Sequence, residues 1–221
     1  MKWTCKGYFI GFQLAIFQAL TGIAAYVVLT GNIVAVVLNA PVFSIYVPIV
    51  ITIAQLVGTL ISVPLMRFVE WKSLTLVGGF TLALWNGLIG MFIYFFDNDS
   101  DFTNYGLTLA VVTILAFLFT FGVTVGSSTW PYIQYMMPPN SVTVAQVLNW
   151  FLTGCTIVFL SVDINETGSP VIMIWVFCGS TFVLTVLNWI MMINIKKRNV
   201  KEVQERLFHG VADKEEDEII A

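Results

Sequence analysis

"LTLAVVTILAFLFTFGVTVGSSTWPYIQYMM", residues 107–137, contains no Asp, Glu, Lys, Arg or His. A helix needs about 20 apolar residues to cross the hydrocarbon core of a bilayer. This stretch exceeds that length, so the chain folds in lipid and the span must tilt, kink or extend beyond the membrane surface. Its second half locates the expected kink. Pro131 cannot donate to the helix ladder, and Gly126, Ser127 and Ser128 soften the turn before it. A kink in that turn aims Trp130 inward and presents a flat apolar ring of the kind a sugar stacks on, although a packing corner would use the same residue.

Five further uncharged stretches flank this one, near Tyr8–Leu38, Val42–Leu65, Ser73–Phe96, Val142–Val162 and Val171–Ile195. The first is also longer than a span requires, and the same tilt or kink is expected of it. Of the whole chain 58% is hydrophobic and 10% charged, outside the range of a water-soluble domain. Continuous hydrophobicity without period-2 alternation excludes a transmembrane β-barrel. The fold class is therefore all-α integral membrane with six transmembrane helices.

Lysine and arginine resist transfer across the bilayer, and their placement orients the bundle. Lys2 and Lys6, the loop with Arg67 and Lys72, and the tail from Lys196 to Lys214 all fall on one side. Both termini are expected there, in the cytosol or the mitochondrial matrix. Asp97, Asp99, Asp101, Asp163 and Glu166 mark the opposite, acidic side. Asn98-Asp-Ser100 and Asn165-Glu-Thr167 form glycosylation triplets, expected in the two longer loops of that side.

The segment "MKWTCKGYF" is read as entering the membrane without a cleavable leader. The six-span bundle is expected to occupy residues 1–195. Residues 196–210 follow as a short amphipathic helix, with Val200, Val203 and Leu207 on one face. Residues 211–221 form an acidic tail, disordered unless a neighbour holds it. The segment Asn199–Ala221 is accordingly expected to dock on a partner protein or the membrane. Cys5, Cys155 and Cys178 lack metal spacing and read as packing residues, and His209 as a solvated tail residue. No catalytic residue, cofactor, metal or nucleic acid is expected.

None of the six spans carries an ionisable side chain, so this bundle holds no proton relay and no voltage sensor. It carries amides instead: Gln13, Gln18, Asn32, Gln55, Asn86, Gln134, Gln146, Asn149 and Asn188. Such groups line a cavity for a hydroxylated solute or bond neighbouring helices at roughly 0.6 to 2 kcal/mol each. Spacing alone favours helix-to-helix bonds.

Several local runs resemble the C-terminal six-helix half of a sugar porter, the glucose-transporter-like branch of the major facilitator superfamily. Gln18-Ala19-Leu20-Thr21-Gly22-Ile23-Ala24 is similar to the family's Gln-Gln-Leu-Ser/Thr-Gly-Ile-Asn run, with alanine at 19 and 24 where the family has amides. Gly126-Ser127-Ser128-Thr129-Trp130 resembles Gly-Pro-x-Pro-Trp, the proline displaced to 131, and Asn149-Trp150 matches an Asn-Trp pair. The resemblance implies Gln18, Trp130 and Asn149 as candidate solute contacts. It also implies two six-helix halves with the solute between them, one rocking against the other.

The family's charged gate is not matched. Its Asp/Glu-Arg-x-Gly-Arg-Arg loop corresponds to Met66-Arg67-Phe68-Val69-Glu70-Trp71, which keeps one arginine. Its acidic residue after the tryptophan corresponds to Tyr135, its Pro-x-x-x-Arg to Pro138-Pro139-Asn140-Ser141, and its Pro-Glu-Thr-Lys-Gly to Ile193-Asn194-Ile195-Lys196-Lys197. The resemblance implies that these groups form ion pairs that break in each transport cycle. Their loss, with Ala19 and Ala24, leads to the expectation of a non-transporting accessory subunit of a larger membrane complex, with other membrane subunits and lipids as partners. The mitochondrial inner membrane is the expected site on general grounds. The alternative is a half-transporter for a sugar or polyol, working as a dimer or beside a separate N-terminal half.

Overall fold

In hydrocarbon each backbone N–H and C=O must find its partner inside the protein, and an apolar segment does so by coiling into a helix. The structure, a computed structural model, describes residues 5–28, 30, 43–98, 103–167, 170–193 and 195. The amphipathic segment and the acidic tail lie outside these residues. Seven helices follow in order: α1 Cys5–Leu20, α2 Phe43–Phe68, α3 Trp71–Asn98, α4 Thr103–Val123, α5 Val125–Met136, α6 Pro139–Thr167 and α7 Val171–Met191. They provide six membrane-capable spans, because α4 and α5 together make one and α1 continues to Val28 to make another. Six spans are what the sequence predicts.

The two overlong spans are both broken. The first breaks at Thr21 and Gly22, where Gly22 adopts φ of 81°, a left-handed conformation that glycine enters without a Cβ clash. The other breaks at Thr124, two residues before the predicted Gly126–Ser128 softening. The cause lies in packing against α3. Thr124 fits its side chain against Gly78, where any Cβ on residue 78 would collide with the Thr124 side chain. Pro131 sits inside α5 without interrupting it.

Small residues set how closely the helices approach. A Cβ at Gly58 of α2 would run into the Phe119 carbonyl, and one at Gly122 of α4 would run into the Gln55 carbonyl. The two backbones therefore touch through reciprocal glycines, and α2 cannot be packed on α4 with larger residues. The core runs through α1, α3, α4 and α5, with Ile10, Leu14, Phe17, Leu82, Phe117 and Ile133 fully buried.

Packing partners order the helices. α1 packs on α6, α5 and α7; α3 packs on α7, α4 and α5; α2 packs on α4 and α5. Among the described residues no close packing joins α2 to α6, which leaves a notch between them. Burial agrees: 61% of the first span is buried, against 17% for Tyr46–Phe68 and 17% for Pro139–Ile164, which places those two at the flanks.

Of the two glycosylation triplets, 165–167 lies within a helix instead of an open loop, whereas only Asn98 of the other is among the described residues. Asn98 ends α3, and residues 165–167 form the last turn of α6. The Asp163 carboxylate accepts the Met173 N–H at 3.1 Å and so ties the end of α6 to the start of α7.

Candidate functional site

The notch between α2 and α6 holds a cavity of about 360 Å³. Its floor comes from the broken spans: Gln18 on α1, Ile23 and Ala24 just past the Gly22 break, Phe121 just before the Thr124 break and Trp130 on α5. α2 supplies Gln55 from one flank, and α6 supplies Gln146, Asn149, Trp150 and Thr153 from the other. The three predicted residues, Gln18, Trp130 and Asn149, thus line one space although 131 positions separate the first from the last. That volume lies within the roughly 300 to 1,000 Å³ typical of small-molecule sites.

Each of the three is held differently. Asn149 is buried, and its Nδ2 donates to the Ala15 carbonyl at 2.8 Å, so this amide bonds α6 to α1 and keeps its oxygen for other work. Gln18 has a buried Oε1 with no partner among the described residues. Such an acceptor costs about 1–3 kcal/mol until a donor reaches it. Trp130 is half-buried and turned inward, as its place in the wall requires. It lies six residues past Thr124, where the backbone leaves helical geometry at φ −116° and ψ −92°.

The two alanine substitutions fall apart in space. Ala24 lines the cavity, so the amide that the resemblance expects there is missing from the wall itself. Ala19 is packed in the core and lines nothing. Two further amides line it beside the predicted set, Gln55 and Gln146. Gln146, Asn149 and Thr153 stand at i, i+3 and i+7, a one-face pattern that the sequence carries openly. Among the described residues no ionisable side chain lines the cavity, so its walls offer hydrogen bonding and ring stacking.

The first break is braced from outside the cavity. Freed carbonyls at Leu20 and Thr21 accept from the Ser180 hydroxyl at 3.2 Å and the Asn86 Nδ2 at 3.4 Å. Asn86 also accepts the Tyr26 hydroxyl at 2.6 Å and donates to Thr181 at 3.5 Å. Here the expected helix-to-helix role of an amide is met. Gln13 and Asn188 are buried too, yet neither has a partner among the described residues, and Asn32 lies outside them. Cys178 donates its thiol to the Ala83 carbonyl at 3.4 Å, a packing contact between α7 and α3.

At the positively charged end the expected ion-pair positions are occupied by neutral contacts. Tyr135 packs edge-on against Trp71, ring centroids 5.2 Å apart. Tyr132 donates its hydroxyl to the Ile193 carbonyl and accepts the Ile193 N–H, both at 2.9 Å. Met137 fills the space beside Gly11.

Six membrane-crossing helices around a notch lined by amides and tryptophan define one half of a major facilitator fold. Residues 2–207 match the Sugar (and other) transporter family, and the chain belongs to that family. It is 22% identical over 140 residues to Sugar transporter ERD6-like 1 of Arabidopsis thaliana, a match that covers 62% of this chain and 30% of that protein. This is a family of transporters.

Proposed function

We propose that the bundle is the solute-holding half of a carrier for a sugar or related polyol, with a second six-helix bundle closing the notch. The observation that carries this reading is the convergence of Gln18, Trp130 and Asn149 on one cavity open between α2 and α6. A polyhydroxylated, uncharged solute suits its walls. The Trp130 ring offers a stacking face, Gln18 and Asn149 offer amide oxygens, and no charge repels or traps the solute. Alternating access needs two bundles with the site between them, so one half binds but does not by itself cycle.

The test is equilibrium binding of labelled hexoses and polyols to the protein in its native membrane. Saturable binding that Trp130→Ala removes, with the protein still inserted, supports the reading. Absence of binding for the whole panel contradicts it.

The accessory-subunit reading has its own support in the neutral closure at the positive end, where Tyr135 against Trp71 and Tyr132 on Ile193 stand where the family carries breakable ion pairs. A bundle locked there serves as a brace in a larger membrane complex. Its mark is migration on native gels at many times 24.7 kDa without sugar-dependent stabilisation. A small species that binds sugar sinks it.

A further inference from the structure

Three helices bury polar atoms that have no hydrogen-bond partner among the described residues and line no part of the notch: both amide atoms of Gln13 on α1, both of Asn188 on α7, and the Thr129 hydroxyl on α5. Gln13 is 7% exposed, Asn188 1% and Thr129 0%. Roughly nine in ten or more of the buried polar groups in folded proteins are bonded. Three partnerless side chains in one bundle ask for a common cause.

The register of the helices gathers them. α1 packs on both α5 and α7. It runs antiparallel to α7: Gly22 lies against the Phe177 ring, the Leu20 carbonyl accepts from the Ser180 hydroxyl, and Phe17 and Thr185 both crowd Gly79 of α3. One turn further along, Gln13 follows on the Phe17 face of α1 and Asn188 on the Thr185 face of α7. The two amides therefore stand opposite each other. α5 closes the same level, because Ser128 shares a hydrogen bond of 2.7 Å with Thr75, four residues before Gly79 on α3. Thr129 is the next residue, one turn before the fully buried Tyr132, whose hydroxyl reaches Ile193 just past α7.

Chemistry selects the occupant. The two amides make no bond to each other, and a polar contact too long for a direct bond is commonly bridged by water. A cation would take the amide oxygens and strand both NH₂ groups, and an anion would do the reverse. Water donates and accepts at once. A buried water needs two to four polar partners, and Gln13, Asn188 and Thr129 supply three.

We infer that these three side chains hold a buried structural water at the centre of the bundle. On one side of Phe17 the α1–α7 joint is direct, through Ser180, and on the other it passes through water. The site is independent of the solute reading of the notch.

The test is a crystal structure of the full chain grown from a lipid phase, at a resolution that shows ordered water. The expected result is a density peak within hydrogen-bond distance of both Gln13 and Asn188, lost in Gln13→Leu and weakened in the near-isosteric Thr129→Val. In detergent, Gln13→Leu and Asn188→Leu should each lower the folded-to-unfolded ratio about five-fold, the worth of one net hydrogen bond. The double variant should lose less than the two singles multiplied, since both remove the same bridge. A direct bond between the two amides, a peak ringed by oxygens alone, no peak, or leucine substitutions that each stabilise the bundle independently would overturn the assignment.

Discussion

The two broken spans solve one problem in opposite ways. At Thr21 and Gly22 the chain leaves helical geometry altogether, and its freed carbonyls are taken by side chains of other helices, Asn86 of α3 and Ser180 of α7. At Thr124 the ladder is only disturbed. The Thr124 N–H is shared between Thr120 and Phe121 carbonyls at 3.0 and 3.3 Å, and the Thr124, Ser127 and Ser128 hydroxyls bond back to carbonyls three or four residues earlier. The first break is held by hydrogen bonds from other helices, the second by hydroxyl back-bonds within its own turn together with the contact of Thr124 on Gly78 of α3. Both adjoin cavity-lining residues, Ile23 and Ala24 after the first and Phe121 before the second, so the lesson concerns function: residues 23–28 keep their position only while α3 and α7 hold them.

The largest expected effect breaks the first site outright. Gly22→Val forces a branched residue into left-handed backbone and drives its Cβ into the Phe177 ring. Strain and overpacking together should cost about 3 kcal/mol or more, read as a large drop in thermal unfolding temperature in detergent. Retention of full stability would show that the break is not as rigid as its geometry requires.

Asn86→Leu comes next. It leaves the Tyr26 hydroxyl and the Thr21 carbonyl without their partner, and a loss of about 1–3 kcal/mol is expected. Hydrogen exchange should speed up at residues 23–28 more than at 125–136. Equal acceleration in both would erase the contrast between the breaks.

Smaller again is Thr124→Ala, which removes one local back-bond and the contact with Gly78. A loss of about 1 kcal/mol is expected, because the backbone bonds of the turn remain. Pro131→Ala should have the smallest effect, within about 0.5 kcal/mol, since the helix is interrupted at Thr124 and not at the proline. A straightened fourth span in that variant, seen as a lengthened spin-label distance across α4 and α5, would return the kink to Pro131.

The sequence states much of this plainly. Uncharged length gives all six spans, and excess length in the first and fourth marks the two that break. Gln18, Trp130 and Asn149 are legible through the family-like runs around them, and the structure places all three on one cavity. The break at Thr124 is not legible from local signals, which point to Gly126 and Pro131. Its position comes from Gly78, a residue 46 positions away on another helix. Gln55 is read from the sequence only as one of nine amides able to line a cavity or bond a neighbouring helix; its place on the wall follows from the Gly58 and Gly122 contact, which brings α2 against α4. Ala19 and Ala24 look equivalent in sequence, yet only Ala24 reaches the cavity.

The central claim is that the notch between α2 and α6 holds a neutral, hydroxyl-rich solute against Trp130. The most direct measurement is saturation binding of labelled hexoses and polyols to the membrane-embedded protein, wild type beside Trp130→Ala and Asn149→Ala. The account predicts saturable binding to the wild type, flat between pH 5 and pH 8 because no ionisable side chain among the described residues lines the cavity, and lost in Trp130→Ala. Binding that survives both substitutions, or no binding by any solute of the panel, would contradict it.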